Sequence, residues 1–239
     1  MKYLLSNQEL IGSARILAEE LNLRLSLRPL EEAPTVRWGN SQGEYSSKSD
    51  TKFNDPQLIR SSRKDLLSKI LLNRAVPCVE IHPGTEDPNH YPIVLRNTLV
   101  GNGGAGIQVV DGEWPRDMHV PWSYWHQFSY ELGVHLFNGN ITRIFKKVWS
   151  SGSDEEGQYP IRNSDNGYRF SLNKVENYKK LPALISQFYS VFPIGFCRLD
   201  IGWDVESETY RIIECNSAPA LTGNVNTLRT YAENLRSAI

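Results

Sequence analysis

Near the C-terminus two apolar runs carry acids that a purely structural strand pair would not need: Arg198-Leu-Asp-Ile-Gly-Trp203 and Tyr210-Arg-Ile-Ile-Glu-Cys-Asn216. Branched and aromatic residues dominate both, so they read as two strands of one sheet. Asp200, Glu214 and Asn216 then form an all-oxygen set suited to a hard cation such as Mg²⁺. Such an ion is usually held by one or two carboxylates and shared with nucleotide phosphates. Arg198 precedes Asp200 by two residues and shares its strand face. It reads either as a salt-bridge partner of Asp200 or Glu214, or as the holder of a substrate carboxylate.

A chain of 239 residues can bury a real core as one large domain or two small ones. The formal net charge of −1 argues against a general affinity for nucleic acid or anionic membrane. Cys78, Cys197 and Cys215 lack CxxC or zinc spacing and read as free thiols in a reducing cytoplasm. No stretch approaches the roughly 20 apolar residues of a membrane span, and the N-terminus turns polar too soon for a signal peptide. A soluble, intracellular protein is expected.

Lys2–Leu5 reads as a short strand and Gln8–Leu21 as an amphipathic helix, with Leu10, Ile11, Ala14, Leu17, Ala18 and Leu21 at helical spacing. Leu23–Leu27 and Thr35–Trp38 read as strands, Asn40–Asp55 as a polar loop, and Ser61–Arg74 as a helix burying Leu66, Leu67, Ile70 and Leu71. After Pro77 strands prevail. Ile93–Val100 and Ile107–Val110 flank a glycine-rich segment, and Gly133–Phe137 pairs with Ile141–Val148 through the turn former Asn138-Gly139. Ser150–Gly157 is an acidic loop, while Leu181–Tyr189 and Thr227–Leu235 read as helices. The class is α+β, mostly antiparallel after residue 90.

Gly101-Asn-Gly103-Gly104-Ala105-Gly106 fits GxGxxG, but a dinucleotide fingerprint opens a helix, and here a strand follows. A glycine loop between antiparallel strands is either a flexible turn or a flap whose backbone N–H groups close over phosphates. Cations that could serve such a site are Arg96, within an apolar strand, Lys64 at a helix start, and Lys146 or Lys147. Strand alternation sends one of those two lysines into a cleft and the other to solvent; Lys146 is the expected cleft residue. The five histidines include no HExxH pattern, and His135 alone lies on a strand that could face a cleft. Trp122, Trp125 and Phe128 either fill a core or wall a base.

These features together resemble the ATP-grasp superfamily over roughly residues 60–239. Lys64-Asp-Leu-Leu-Ser-Lys-Ile is similar to the helix start of the ribosomal-protein glutamate ligase type, and Pro92–Gly106 resembles that family's phosphate strand and loop. Glu131-Leu-Gly-Val-His135 followed by Phe137-Asn-Gly-Asn140 resembles short, phage-associated members. Glu214-Cys-Asn216-Ser-Ala-Pro219 matches the Mg²⁺ signature Glu-x-Asn-x-x-Pro, and this is the most specific of the matches.

The resemblance implies two α+β subdomains gripping ATP. A truncated Rossmann-like region would cover residues 1–60, a lid subdomain with the glycine loop 61–125, and the metal-binding subdomain 126–239. It implies an ATP- and Mg²⁺- or Mn²⁺-dependent carboxylate–amine ligase that forms an acyl phosphate, then an amide. Asp200, Glu214 and Asn216 would hold metal. Lys64, Arg96, Gly103, Gly104, Ala105, Gly106, Ser123, Tyr124, Trp125 and Glu131 would hold nucleotide, with adenine near Trp122–Trp125. Arg198, Lys146 and His135 would be catalytic. Substrates would be small-molecule or peptide carboxylates and amines, in a cytoplasm that includes that of a phage-infected cell.

Three departures stand out. Arg96 replaces a common lysine, and Gly133 occupies the position where relatives carry an arginine that reaches the reacting phosphoryl group. Arg198-Leu-Asp200 resembles the Arg-x-Asp of D-alanine–D-alanine ligases and would compensate. The short N-terminal region leaves substrate binding to the C-terminal part, or to a second subunit or partner. A kinase on the same scaffold and a nucleotide-binding protein without turnover also fit these residues.

Overall fold

The apolar pattern resolves into three sheets in the computed structural model, which describes residues 2–7, 11–30, 34–42, 53–99, 106–112, 119–150, 161–163, 166–221 and 223–239. The first sheet is parallel, in the order β2-β1-β3, from β1 (Tyr3–Ser6), β2 (Arg24–Ser26) and β3 (Val36–Trp38). Every residue of β1 is buried, as expected of a parallel strand covered on both faces. Helix α1 (Ile11–Glu20) buries Ala14, Leu17 and Ala18. That core does not end with the N-terminal region. It runs on into Leu228, Tyr231 and Leu235 of the last helix and into Phe137 and Phe196.

The helix expected over residues 61–74 begins at Lys64, and a short helix that the pattern did not announce precedes it. Asp55 caps α2 (Pro56–Ser61) by accepting from the Gln57 N–H, with Pro56 in the first turn, the position where its missing N–H is harmless. Arg63 is extended (φ −55°, ψ 134°) and breaks the helix before α3 (Lys64–Leu72). Its guanidinium grips Asp65 at 2.6 Å.

A small antiparallel sheet, β5-β4-β6, follows from β4 (Ile93–Arg96), β5 (Ile107–Val110) and β6 (Trp122–Tyr124). Ile93, Leu95 and Trp122 form its core, so Trp122 fills a core rather than walling the cleft. The large sheet is antiparallel throughout, in the order β11-β10-β7-β8-β9. Its strands are β7 (Phe128–Phe137), β8 (Asn140–Trp149), β9 (Tyr168–Ser171), β10 (Phe196–Asp204) and β11 (Thr209–Asn216). Asn138 and Gly139 turn the β7–β8 hairpin with φ of 46° and 77°, the left-handed pair a tight hairpin requires.

Period-two alternation divides this sheet into two unlike faces. Leu132, Val134, Leu136, Leu199, Ile201 and Ile212 point to one side and pack with Leu67 and Leu71 of α3 and with α4 (Leu181–Val191). The other side carries the polar residues of β7, β8, β10 and β11. The final helix, α5 (Val225–Arg236), is capped by Asn224. Cys78, Cys197 and Cys215 are free and buried. No helix among the described residues is long and apolar enough to cross a membrane.

Candidate active site

The polar face of the large sheet is ordered by register. Across β10–β11, Asp200 stands opposite Glu214 and Arg198 opposite Asn216; a bulge after Asp200 absorbs Ile213. Across β10–β7, Asp200 faces Gly133 and Arg198 faces His135. Across β7–β8, Gly133 faces Phe145 and His135 faces Arg143. Lys147 of β8 pairs with Phe170 of β9. Between this face and the small sheet lies a cleft of about 800 Å³, lined from both sides.

Asp200 is 5% exposed and clasped by two cations. Arg198 Nε donates to its Oδ1 at 2.8 Å, and Lys147 Nζ lies 3.3 Å from Oδ2. Burial pushes the Asp200 carboxyl up, yet the Arg198 guanidinium and Lys147 ammonium hold it below its ordinary range. Lys147 also reaches Glu131 at 2.8 Å. Burial alone would favour the neutral amine, but Asp200 and Glu131 hold its pKa above the usual lysine value. Lys64 Nζ meets Glu214 at 2.9 Å. The Asn216 carboxamide oxygen accepts from the Ala218 N–H at 2.9 Å.

The alternation of the two lysines therefore has the opposite phase to the one expected. Lys147 enters the cleft, while Lys146 turns away to Glu176 at 2.9 Å and the Tyr130 ring. The cause is a bulge. Leu136 pairs with Ile141 but His135 with Arg143, leaving Thr142 unpaired, with its hydroxyl on the His135 carbonyl at 3.1 Å. Counted from the Asn-Gly turn without that extra residue, Lys146 would face Glu131; one added residue exchanges the faces.

Gly133 leaves room that other side chains fill. A Cβ built there would lie 2.8 Å from Phe170 Cε1 and 3.3 Å from Arg198 Cδ. The Phe170 ring sits 5.0 Å from the Arg198 guanidinium and 5.7 Å from the Lys147 ammonium, so it packs both cations against the sheet. His135 lines the cleft and shares a 3.0 Å hydrogen bond, through Nδ1, with the Tyr231 hydroxyl. Burial, then the neighbouring Arg198 guanidinium, push its pKa down to about 3, so the ring is neutral.

On the small-sheet side, Arg96 is 6% exposed and donates to the Ser123 hydroxyl at 3.3 Å, with its Nε buried and unpaired. Ser123, Tyr124, Trp125 and Glu131 all line the cleft, with Val79, Val94 and Ile213 as apolar wall. Gly106, immediately before β5, has φ +70°, a left-handed conformation suited to glycine. Gly103, Gly104 and Ala105 lie outside the described residues. Phe170 and Arg162 are cleft-lining residues that pattern reading passed over, and Lys147 is the one it set aside in favour of Lys146. Among the described residues no three His, Cys, Asp or Glu side chains gather as a metal cage. The oxygen set is two carboxylates and a carboxamide, which leaves most of a hard cation's coordination to other ligands.

No model of a known protein family matches the sequence, and neither does the sequence of any curated protein. Solved structures do resemble the fold. The D-alanine–D-alanine ligase of Bacillus anthracis is 13% identical over 100% of this chain and 95% of its own, with a TM-score of 0.70. The ATP-grasp ligase PsnB, complexed with a minimal precursor, Mg and ADP, is 11% identical over 99% and 96%, with a TM-score of 0.68. The N5-carboxyaminoimidazole synthetase of Staphylococcus aureus, complexed with ADP, is 8% identical over 100% and 78%, with a TM-score of 0.69. The chain has the ATP-grasp fold.

Proposed function

We propose that this chain is an ATP- and Mg²⁺-dependent ligase that activates a carboxylate as an acyl phosphate and passes it to an amine. The observation that carries this reading is the register of β10 and β11, which sets Asp200 opposite Glu214 at one end of the cleft with Asn216 and Arg198 beside them. These three oxygen donors fit a divalent cation that completes its shell with phosphate oxygens and water. Bound there, Mg²⁺ would neutralise phosphate charge.

The other roles belong to the chain's own side chains. Val79, Val94, Tyr124 and Trp125 would enclose the adenine. Arg96, steadied by Ser123, and Lys147, steadied by Glu131, would meet the phosphates. Backbone amides of Gly103, Gly104 and Ala105 would close over them. Arg198 is bound to Asp200 through Nε, which leaves its two Nη groups for the substrate carboxylate and the charge developing on it. The carboxylate oxygen attacks the γ-phosphorus and ADP leaves. The amine then attacks the acyl carbon, phosphate leaves, and the nitrogen gives up a proton. Excluding water protects the acyl phosphate from hydrolysis.

The division into residues 1–60, 61–125 and 126–239 belongs to this reading, with the substrate held mainly by the third part, where Arg198 and His135 stand. The buried free thiols support a reducing, cytoplasmic setting. Calorimetric titration with ADP tests the metal assignment. Asp200→Ala and Glu214→Ala should each weaken Mg·ADP binding by at least about ten-fold and leave metal-free ADP binding nearly unchanged. Equal losses with and without Mg²⁺ would place the metal elsewhere.

A further inference from the structure

The β10–β11 ladder ends at the pair Arg198–Asn216, although β10 continues beside β7 to Phe196. Beyond that pair a side chain takes the place of the next rung. Phe196 N–H donates to Asn54 Oδ1 at 3.1 Å, and Asn54 Nδ2 donates to the Ser217 carbonyl at 3.3 Å. Nδ2 also donates, at 3.2 Å, to the carbonyl of Arg37 in β3, an edge strand of the N-terminal sheet. Asn54 is 0% exposed and has φ +65°. Asparagine meets both demands of the place: two N–H donors beside a carbonyl acceptor, and tolerance of the left-handed region.

The Ser217 bond reaches the proposed metal site through one rigid unit. The peptide between Ser217 and Ala218 receives Asn54 at its carbonyl, and its N–H donates to the Asn216 carboxamide oxygen at 2.9 Å. That unit is planar, so displacing the Ser217 carbonyl turns the N–H that orients the Asn216 oxygen. A carbonyl oxygen has two lone pairs, and this bond leaves the second for a cation. The Phe196 bond fixes the start of β10, two residues before Arg198 and four before Asp200. Asn54 does not line the cleft; it acts through these neighbours.

We infer that Asn54 is a positioning residue for the metal end of the cleft: its carboxamide sets the splay of β10 and β11 at Arg198 and Asn216 and ties both strands to the N-terminal sheet. Which ion Asn216 meets rests on the ligase reading. The short N-terminal region thereby has a part in the geometry of the site, apart from any part in holding substrate. The same region grips the following segment again, where Ser13 Oγ of α1 accepts from the Leu221 N–H at 2.9 Å. Partners that orient a metal ligand typically change metal affinity by roughly ten- to a hundred-fold when removed.

The probe is ADP, titrated calorimetrically with and without Mg²⁺ into the full chain, Asn54→Gly and Asn54→Asp, each well below its own Tm. Asn54→Gly keeps the positive φ without strain and removes all three side-chain bonds. Asn54→Asp keeps the shape, the tolerance of positive φ and the acceptor for Phe196, but loses both donors. In wild type Mg²⁺ should tighten ADP binding by at least about ten-fold. In both variants that gain should shrink by at least about five-fold, while metal-free ADP binding stays within about two-fold of wild type. A residue that served the fold alone would lower Tm and leave the Mg²⁺ gain intact. The gain surviving in either variant that folds therefore overturns the inference, as does an equal loss with and without Mg²⁺ or the failure of both variants to fold. Wild-type ADP binding that ignores Mg²⁺ counts against the metal site of the ligase reading and removes the role of Asn54 with it, so the wild-type titration tells the two failures apart.

Discussion

Substituting Gly133 by alanine separates packing from chemistry at the centre of the cleft. The new Cβ would lie 2.8 Å from Phe170 Cε1 and 3.3 Å from Arg198 Cδ, against an optimum of about 3.5–4.0 Å for carbon pairs. The ring must therefore retreat by about 1 Å and the arginine stem by a few tenths. Phe170 is 41% exposed on an edge strand, so it can swing outward, and the stability loss should fall near the low end of overpacking, about 1 kcal/mol. For a chain this long that is a fall of about 2–4 °C in Tm. Arg198 has less freedom, because its Nε is tied to Asp200. Moving its stem shifts the Nη groups that would hold the carboxylate, and a displacement of this order costs roughly ten- to a hundred-fold in kcat. Thermal melts and ADP release at saturating Mg·ATP, with a carboxylate that supports turnover, read the two effects separately. Wild-type turnover in Gly133→Ala would refute the placement of Arg198 at the reacting centre, and a fall in Tm above about 10 °C would refute the claim that Phe170 yields easily.

The two adjacent lysines should differ sharply. Lys147→Ala should reduce turnover by about a hundred-fold or more, whereas Lys146→Ala, which loses a surface pair to Glu176, should stay within about two-fold; steady-state rates of both variants decide it, and equal effects would contradict the bulged register. At the far end of β10, burial pushes the Asp204 carboxyl up, but the Arg211 guanidinium at 2.9 Å and the Ser207 backbone N–H hold it down at about 2. Its folded pKa lies below the unfolded value of about 3.9, so its stabilisation is present above pH 4 and lost as pH falls through 2. The stability gap between wild type and Asp204→Asn, measured by denaturant titration, should therefore be widest near neutrality and close between about pH 4 and 2; a constant gap would contradict the pairing.

The parts of this site that were legible in the sequence are those fixed by period two alone. Asp200 and Arg198 share a face because they are two apart, and so do Glu214 and Asn216. What escaped depends on pairing that no local pattern encodes. The bulge at Thr142 exchanges Lys146 and Lys147, and nothing in the run from Ile141 to Val148 announces it. β9 has four residues and exists because β8 offers it a partner, so Phe170 gave no sign of lying over Gly133. β6 has three residues and is held by the pairing of Trp122 and Ser123 with β4. α2 escaped because six residues, Pro56–Ser61, are too few to show a helical period, and Arg63, which separates it from α3, is itself a good helix former. The face that Arg143 takes was hidden for the same reason as that of Lys147: its place opposite His135 follows from the bulge.

Hydroxylamine trapping tests the central claim most directly. The full chain is incubated with Mg·ATP, hydroxylamine as the nucleophile, and a library of mono- and dicarboxylates, amino acids and peptides. The account predicts a hydroxamate from at least one acid, formed only with Mg²⁺ and accompanied by equal amounts of ADP and phosphate. ADP formed with a stable phosphorylated product, or bound Mg·ATP that no member of the library causes to turn over, would contradict it.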